Sequence, residues 1–292
     1  MAAKNRPYWH VDAKWLSAIA LAVSLAATLP AAALYRATDK ASGQQIISYV
    51  VAGLMSPDGL DSGKGVTEIR ERVRRTGSEA VSFGGVSVTI TRHDVDTLSP
   101  RQLRLKVSGA FAARFYDLGP RGMATKLKAD EAATKKAESD AAVLRPFTRD
   151  GHRWFATALL VLCGVDLILL GLVVVFSHRF GRLVSPGVVL ILVGLPGPLF
   201  WALSHQPPAS TAPPAGGPAA GLAGGAAGGA GSAADGPAGM VAVLTDAVAP
   251  LLAKHFATVY LIALGTGTAL LVVALAGIVA RRFRTPRDTL PA

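Results

Sequence analysis

The sequence predicts an integral membrane protein, mainly α, with four transmembrane helices and a small α+β extracytoplasmic domain between helices 1 and 2. Three observations lead there. Of 292 residues, 51% are hydrophobic. Only 17% are charged, against about 25% in soluble domains. Four apolar windows are also long enough to cross a bilayer, which takes about 20 residues.

The first window is residues 15–35, "WLSAIALAVSLAATLPAAALY", after a short tail, 1–14. The others are residues 154–176, 184–203 and 256–280, and Asp166 is the only charged residue within any of the four. Trp15, Tyr35, Trp154, Trp201 and Tyr260 lie towards the span ends, as interfacial aromatic belts do. A signal peptide, with Ala31 and Ala33 forming an A-x-A cleavage site, is the rival reading of the first window. Its apolar run exceeds the roughly 7–15 residues of a signal h-region, so an uncleaved anchor is expected.

Orientation follows from short flanks. Lys4, Arg6 and Lys14 precede span one, Arg179 and Arg182 sit in the turn 177–183, and Arg281, Arg282, Arg284 and Arg287 follow span four within the tail 281–292. Alternating spans place all of these on one side, which the positive-inside rule makes cytoplasmic. Both termini are then cytoplasmic, and loops 36–153 and 204–255 face outwards. The net charge of +11 is thus explained by the bilayer, and no nucleic-acid partner is expected. The single cysteine, Cys163, excludes an intramolecular disulfide and favours a bacterial inner membrane over a secretory-pathway setting.

Loop 36–153 is long enough to fold. "SGQQIISYVVAGLM" reads as a helix ended at Ser56-Pro57-Asp58-Gly59, and "VTEIRERVRRTG" as a charged helix closed by Gly77. "AVSFGGVSVTITRH" alternates at Val86, Val88 and Ile90, the pattern of a half-buried hairpin. Ser99 as N-cap and Pro100 at the first helical position open a helix that stops at Gly119, with Leu103, Val107, Ala110, Phe111 and Phe115 on one face. A last Ala-, Lys- and Glu-rich helix covers about 121–145. Residues 204–239 are Pro/Gly/Ala-rich and read as a disordered tether, and 240–255 as an interfacial helix.

Asp166 is the principal candidate. A charge at the bilayer centre costs about 2.5–3.5 kcal/mol on insertion scales and marks an ion or proton path by default. The plainer reading is a helix-locking hydrogen bond to one of the hydroxyls at similar depth, Ser24, Thr266 or Thr268, with Ser24 or Thr268 favoured. A cation on another subunit is a third possibility. Pro196 and Pro198 must kink or unwind the outer half of span three. Ala18, Ala22 and Ala26 form one small-residue ridge, and Gly265 and Ala269 another, for close helix approach within the chain or to a partner.

Other candidates fare worse. His152, His205 and His255 fall at the outer ends of spans two, three and four, where convergence could bind a metal, but chance placement explains them as well. His93, Asp94 and Asp96 in "RHDVDT" read as turn and helix-dipole residues. "GLDSGKGVTE" fails as a phosphate loop, since Gly59 is one position too near Gly63 and Gly65 replaces the hydroxyl residue. No catalytic constellation, metal site or cofactor motif stands out. The expectation is a non-enzymatic accessory or scaffold subunit of an envelope complex, its partners being the lipid bilayer and other membrane subunits. The alternatives are a small transporter or ion conductor using Asp166 and the broken third span, and an extracytoplasmic sensor.

Overall fold

A backbone placed in hydrocarbon must satisfy its own hydrogen bonds, and a helix does so within one segment. The computed structural model describes residues 9–56, 60, 63, 65–83, 85–128, 130–177, 181–205 and 248–284. Its elements are α1 (Trp9–Ala37), α2 (Lys40–Leu54), α3 (Val66–Thr76), β1 (Ser78–Phe83), β2 (Val86–Thr91), α4 (Arg92–Thr97) and α5 (Pro100–Lys126). They are followed by α6 (Glu131–Asp140), a 3-10 turn (Ala142–Phe147), α7 (Arg149–Phe176), α8 (Gly181–Gly194), α9 (Gly197–Ser204) and α10 (Ala249–Arg284). Four helical stretches are long and apolar enough to cross a membrane: Asp12–Ala37, Arg149–Phe176, Arg182–Ser204 and Ala249–Ala280. That is the build of a multi-pass membrane protein.

The chain divides into two compact units. One comprises Met1–Arg36, Trp154–Ser204 and Leu252–Ala292 and holds the four spans. Its outside is apolar: Trp15, Trp154 and Leu160 are 64%, 66% and 74% exposed. Its inside holds two clusters. Leu21, Val173 and Val189 gather Ala18, Ala22, Leu25, Leu169 and Leu170. Leu29, Tyr260 and Ala263 gather Leu190, Phe200 and Phe256. Tyr260 is therefore buried among rings, 5.5 Å from Phe200 between centroids, and is not an interfacial belt residue.

Glycines set the closest helix approach in this unit. A Cβ on Gly194 would stand 2.7 Å from the Leu264 nitrogen, and one on Gly267 would stand 2.8 Å from the Gly187 oxygen. Gly197 meets Tyr260 and Leu261 in the same way. Later residues of α8 and α9 thus meet earlier residues of α10, so the two run antiparallel.

The other unit, Ala37–Arg153 with His205–Leu251, has its own core of Val66, Val73, Ile90, Val95, Leu103 and Val107. The hairpin pairs Glu79 with Ile90, Val81 with Val88 and Phe83 with Val86, bringing the inward side chains onto one face. Gly85, at the turn, takes φ 73°. Phe83 stacks edge-on to Phe111 at 5.2 Å. Ser99 caps α5 with Pro100 in its first turn, and the helix breaks at Gly119, where φ is 65° and ψ 178°. Buried Ser48 and Ser108 join α2 to α5 through a 2.8 Å hydrogen bond.

Two expected elements differ. The single helix over 121–145 is instead the end of α5, α6 and a 3-10 turn. Lys128 at φ 54° breaks the first join, Asp130 caps α6, and Pro146 lies inside the 3-10 turn. The described part of the supposed interfacial helix, from Ala249, runs unbroken into the fourth span. Pro250 falls in its first turn, where a missing N–H costs nothing. The turn at 57–59, the tether over 206–239, residues 240–247 and most of both tails lie outside the described residues.

Candidate functional site

Asp166, Leu169, Leu170 and Val173 share one face of α7, and Leu21, Ser24, Leu25 and Thr28 share one face of α1, each set spaced i, i+3, i+4, i+7. The two faces meet. Thr28, only 6% exposed, donates its hydroxyl to Asp166 Oδ2 at 2.7 Å. The same hydroxyl lies 3.0 Å from the Ser24 carbonyl. At the other end of the seam Leu21 clusters with Val173, so α1 and α7 are antiparallel.

The carboxyl's partner is therefore Thr28, which the sequence reading did not single out, and not Ser24 or Thr268. Thr268 donates to the Leu264 carbonyl of its own helix at 2.9 Å. Thr266 lines a groove described below. Both threonines are exposed on α10. The signal that could have found Thr28 is its place four residues after Ser24, on the same helix face.

The hydrogen-bond accounting at this seam is incomplete. A hydroxyl carries one proton, and Thr28 faces two acceptors. It is shared between them. Asp166 Oδ1 and Ser24 Oγ are both buried with no hydrogen-bond partner among the described residues. Leaving a buried polar atom unsatisfied costs about 1–3 kcal/mol. The geometry ties α1 to α7. With Oδ2 bonded to α1 and Oδ1 enclosed, the carboxyl is directed into its own unit.

The third span breaks at Leu195–Pro196, between α8 and α9. The broken backbone is partly recovered, since Phe200 donates to the Pro196 carbonyl at 3.1 Å. Pro198 occupies the second position of α9, where no helical donor is lost. Of the expected ridges, Ala18 and Ala22 pack in the core around Leu21, whereas Ala26 is exposed. Gly265 and Ala269 face outwards, and nothing lies within 4 Å of a Cβ built on Gly265. Gly267, on the opposite side of α10, makes the close contact.

Among the described residues, no group of three or more His, Cys, Asp or Glu side chains comes together to hold an ion. His152 Nδ1 instead lies 3.2 Å from Thr38 Oγ1, and Tyr116 donates to the Thr38 carbonyl at 3.0 Å. Burial raises the Tyr116 hydroxyl above its ordinary pKa, and Asp39 and Asp117 add to the effect. "RHDVDT" forms α4, with Thr91 and Asp94 as a reciprocal capping box. Lys106 lies 2.6 Å from Asp94, and this contact, with the Thr91 N–H and hydroxyl, holds the Asp94 carboxyl well below the usual range. Cys163 is exposed on the apolar surface of α7.

Comparison with protein-family models, curated proteins and solved structures returns no match, so the functional reading rests on the residues themselves.

Proposed function

We propose that this protein is a multi-pass envelope-membrane protein acting as a non-enzymatic accessory or scaffold subunit, in a bacterial-type inner membrane. Both termini are cytoplasmic, and the folded unit between spans one and two is held on the outer side. The observation that carries this reading is the division of polar surface between the two units. Ion pairs such as Arg72–Glu79 at 2.9 Å, Lys106–Asp94 at 2.6 Å and Arg121–Glu138 at 2.8 Å all belong to the folded unit. In the spanning unit, Leu169, Leu170 and Val173 follow Asp166 on the same face of α7 and pack with Leu21 and Leu25 of α1. Antiparallel packing of α1 with α7, and of α8–α9 with α10, supports the alternation on which the orientation depends.

Purification from the native membrane in mild detergent, with mass spectrometry of what accompanies the protein, tests the proposal. A stoichiometric membrane partner is expected. Recovery of the protein alone overturns the scaffold reading. The second reading, a small transporter or ion conductor, draws on the orphaned Asp166 Oδ1 and the break at Leu195–Pro196. It gains ground if the protein alone gives pH-dependent flux in liposomes that Asp166→Asn abolishes.

A further inference from the structure

We propose that a groove on the spanning unit binds an acyl chain of a phospholipid in the outer leaflet, with the phosphate held by Arg36. The groove has a volume of about 400 Å³, inside the roughly 300–1,000 Å³ range of ligand sites. Leu29 and Arg36 come from α1, Leu190 from α8, and Val259, Ile262 and Thr266 from α10. All belong to the unit that holds the spans.

The groove has a direction. Arg36 lies in the last turn of α1, just beyond the apolar window of the first span. From Arg36 back to Leu29 the helix rises about 10 Å, and half a bilayer's hydrocarbon core is about 15 Å deep. The groove therefore runs from headgroup level into one leaflet. Its lining is hydrocarbon almost throughout, with Arg36 among the residues that form it.

Arg36 is exposed, and among the described residues no carboxylate pairs with it. A cation near a helix C-terminus also complements the helix dipole. That accounts for the charge but not for the apolar groove leading away from it. A guanidinium matches phosphate geometry with two parallel hydrogen bonds. A helix from a second copy would fill the groove yet leave Arg36 without an anion, and a soluble anion would leave the groove empty. A phospholipid answers both needs in one molecule. This site rests on the membrane reading, with Arg36 on the outer face, and not on the scaffold role.

The test is native mass spectrometry of the full chain, purified in mild detergent and equilibrated with equal amounts of phosphatidylglycerol and of a diacylglycerol, which has the same acyl chains and no phosphate. Retention should favour phosphatidylglycerol about tenfold, the worth of one charge-assisted contact. Arg36→Gln should remove the preference and Arg36→Lys should keep part of it. Ile262 is 60% exposed, so Ile262→Trp fills the groove without entering the core and should lower retention of both lipids. Equal retention by the wild type, or a preference that survives Arg36→Gln, overturns the proposal. Failure of the membrane reading looks different: the wild-type chain would be recovered without detergent in the soluble fraction.

Discussion

At the scale of single residues, the seam between α1 and α7 sets polar satisfaction against apolar packing. Thr28 supplies the donor that Asp166 Oδ2 uses at 2.7 Å, while Oδ1 and Ser24 Oγ stay buried and unpaired. Interhelical hydrogen bonds in membranes contribute about 0.6 kcal/mol on average, up to about 1.7. Stranding one partner is worse than losing both, because the survivor keeps its full desolvation penalty. Thr28→Val is therefore expected to destabilise the detergent-solubilised protein by about 1–3 kcal/mol. The double variant Thr28→Val with Asp166→Leu should lie closer to the wild type than Thr28→Val does. Thermal unfolding of the two single variants and the double variant in one detergent measures the coupling. Additive losses would mean that the two side chains do not act as a pair.

At the scale of elements, two glycines separated by one residue on α10 should behave oppositely. A Cβ on Gly267 would meet backbone atoms of Gly187 and Ile191 at 2.8 and 2.9 Å, whereas one on Gly265 meets nothing within 4 Å. Backbone cannot move aside as a flexible side chain does, so Gly267→Ala should cost about 1–3 kcal/mol as overpacking. Gly265→Ala should be neutral, or stabilising by up to about 1 kcal/mol through helix propensity. Equal unfolding temperatures for the two variants would remove α8–α10 packing as the explanation. The same pair marks what sequence alone could reach. Small-residue spacing is visible in a sequence, but which face of a helix meets a neighbour is decided by helix rotation, so Gly265 and Ala269 stood out while Gly267 did not. Thr28 was missed for a related reason. Depth counted from span ends assumes unstaggered helices, and a stagger of one turn, about 5.4 Å, moves the contact from Ser24 to Thr28. Local signals were more legible, because they act within a few residues: Ser99 with Pro100, the alternation through Ile90, and the stop at Gly119 each appear where the spacing predicts. The break at Lys128 carried no such signal, since a left-handed lysine leaves no mark in composition.

At the scale of the whole molecule, the arrangement of charge makes the orientation testable. On the proposed orientation the cationic flanks lie on the side of the two termini, while the folded unit between spans one and two carries ion pairs such as Arg72–Glu79 and Lys106–Asp94. Hydrocarbon excludes charged labels, so a residue's reactivity reports the side on which it lies. Cys163, exposed on α7 within a span, is first replaced by Ser to silence the background. Lys135 has a side chain 75% exposed on α6, well inside the folded unit, and Lys14 lies just before the first span. In cells with a permeabilised outer barrier, a membrane-impermeant maleimide should label Lys135→Cys at once. Lys14→Cys should react only after the membrane itself is opened. The reverse order would invert the topology and put Arg36, with its groove, against the cytoplasmic leaflet. Immediate labelling of both positions would mean that the first span does not separate them across the bilayer. The positive flanks would then need another account, since antiparallel helix packing is the same either way up and does not itself choose a direction.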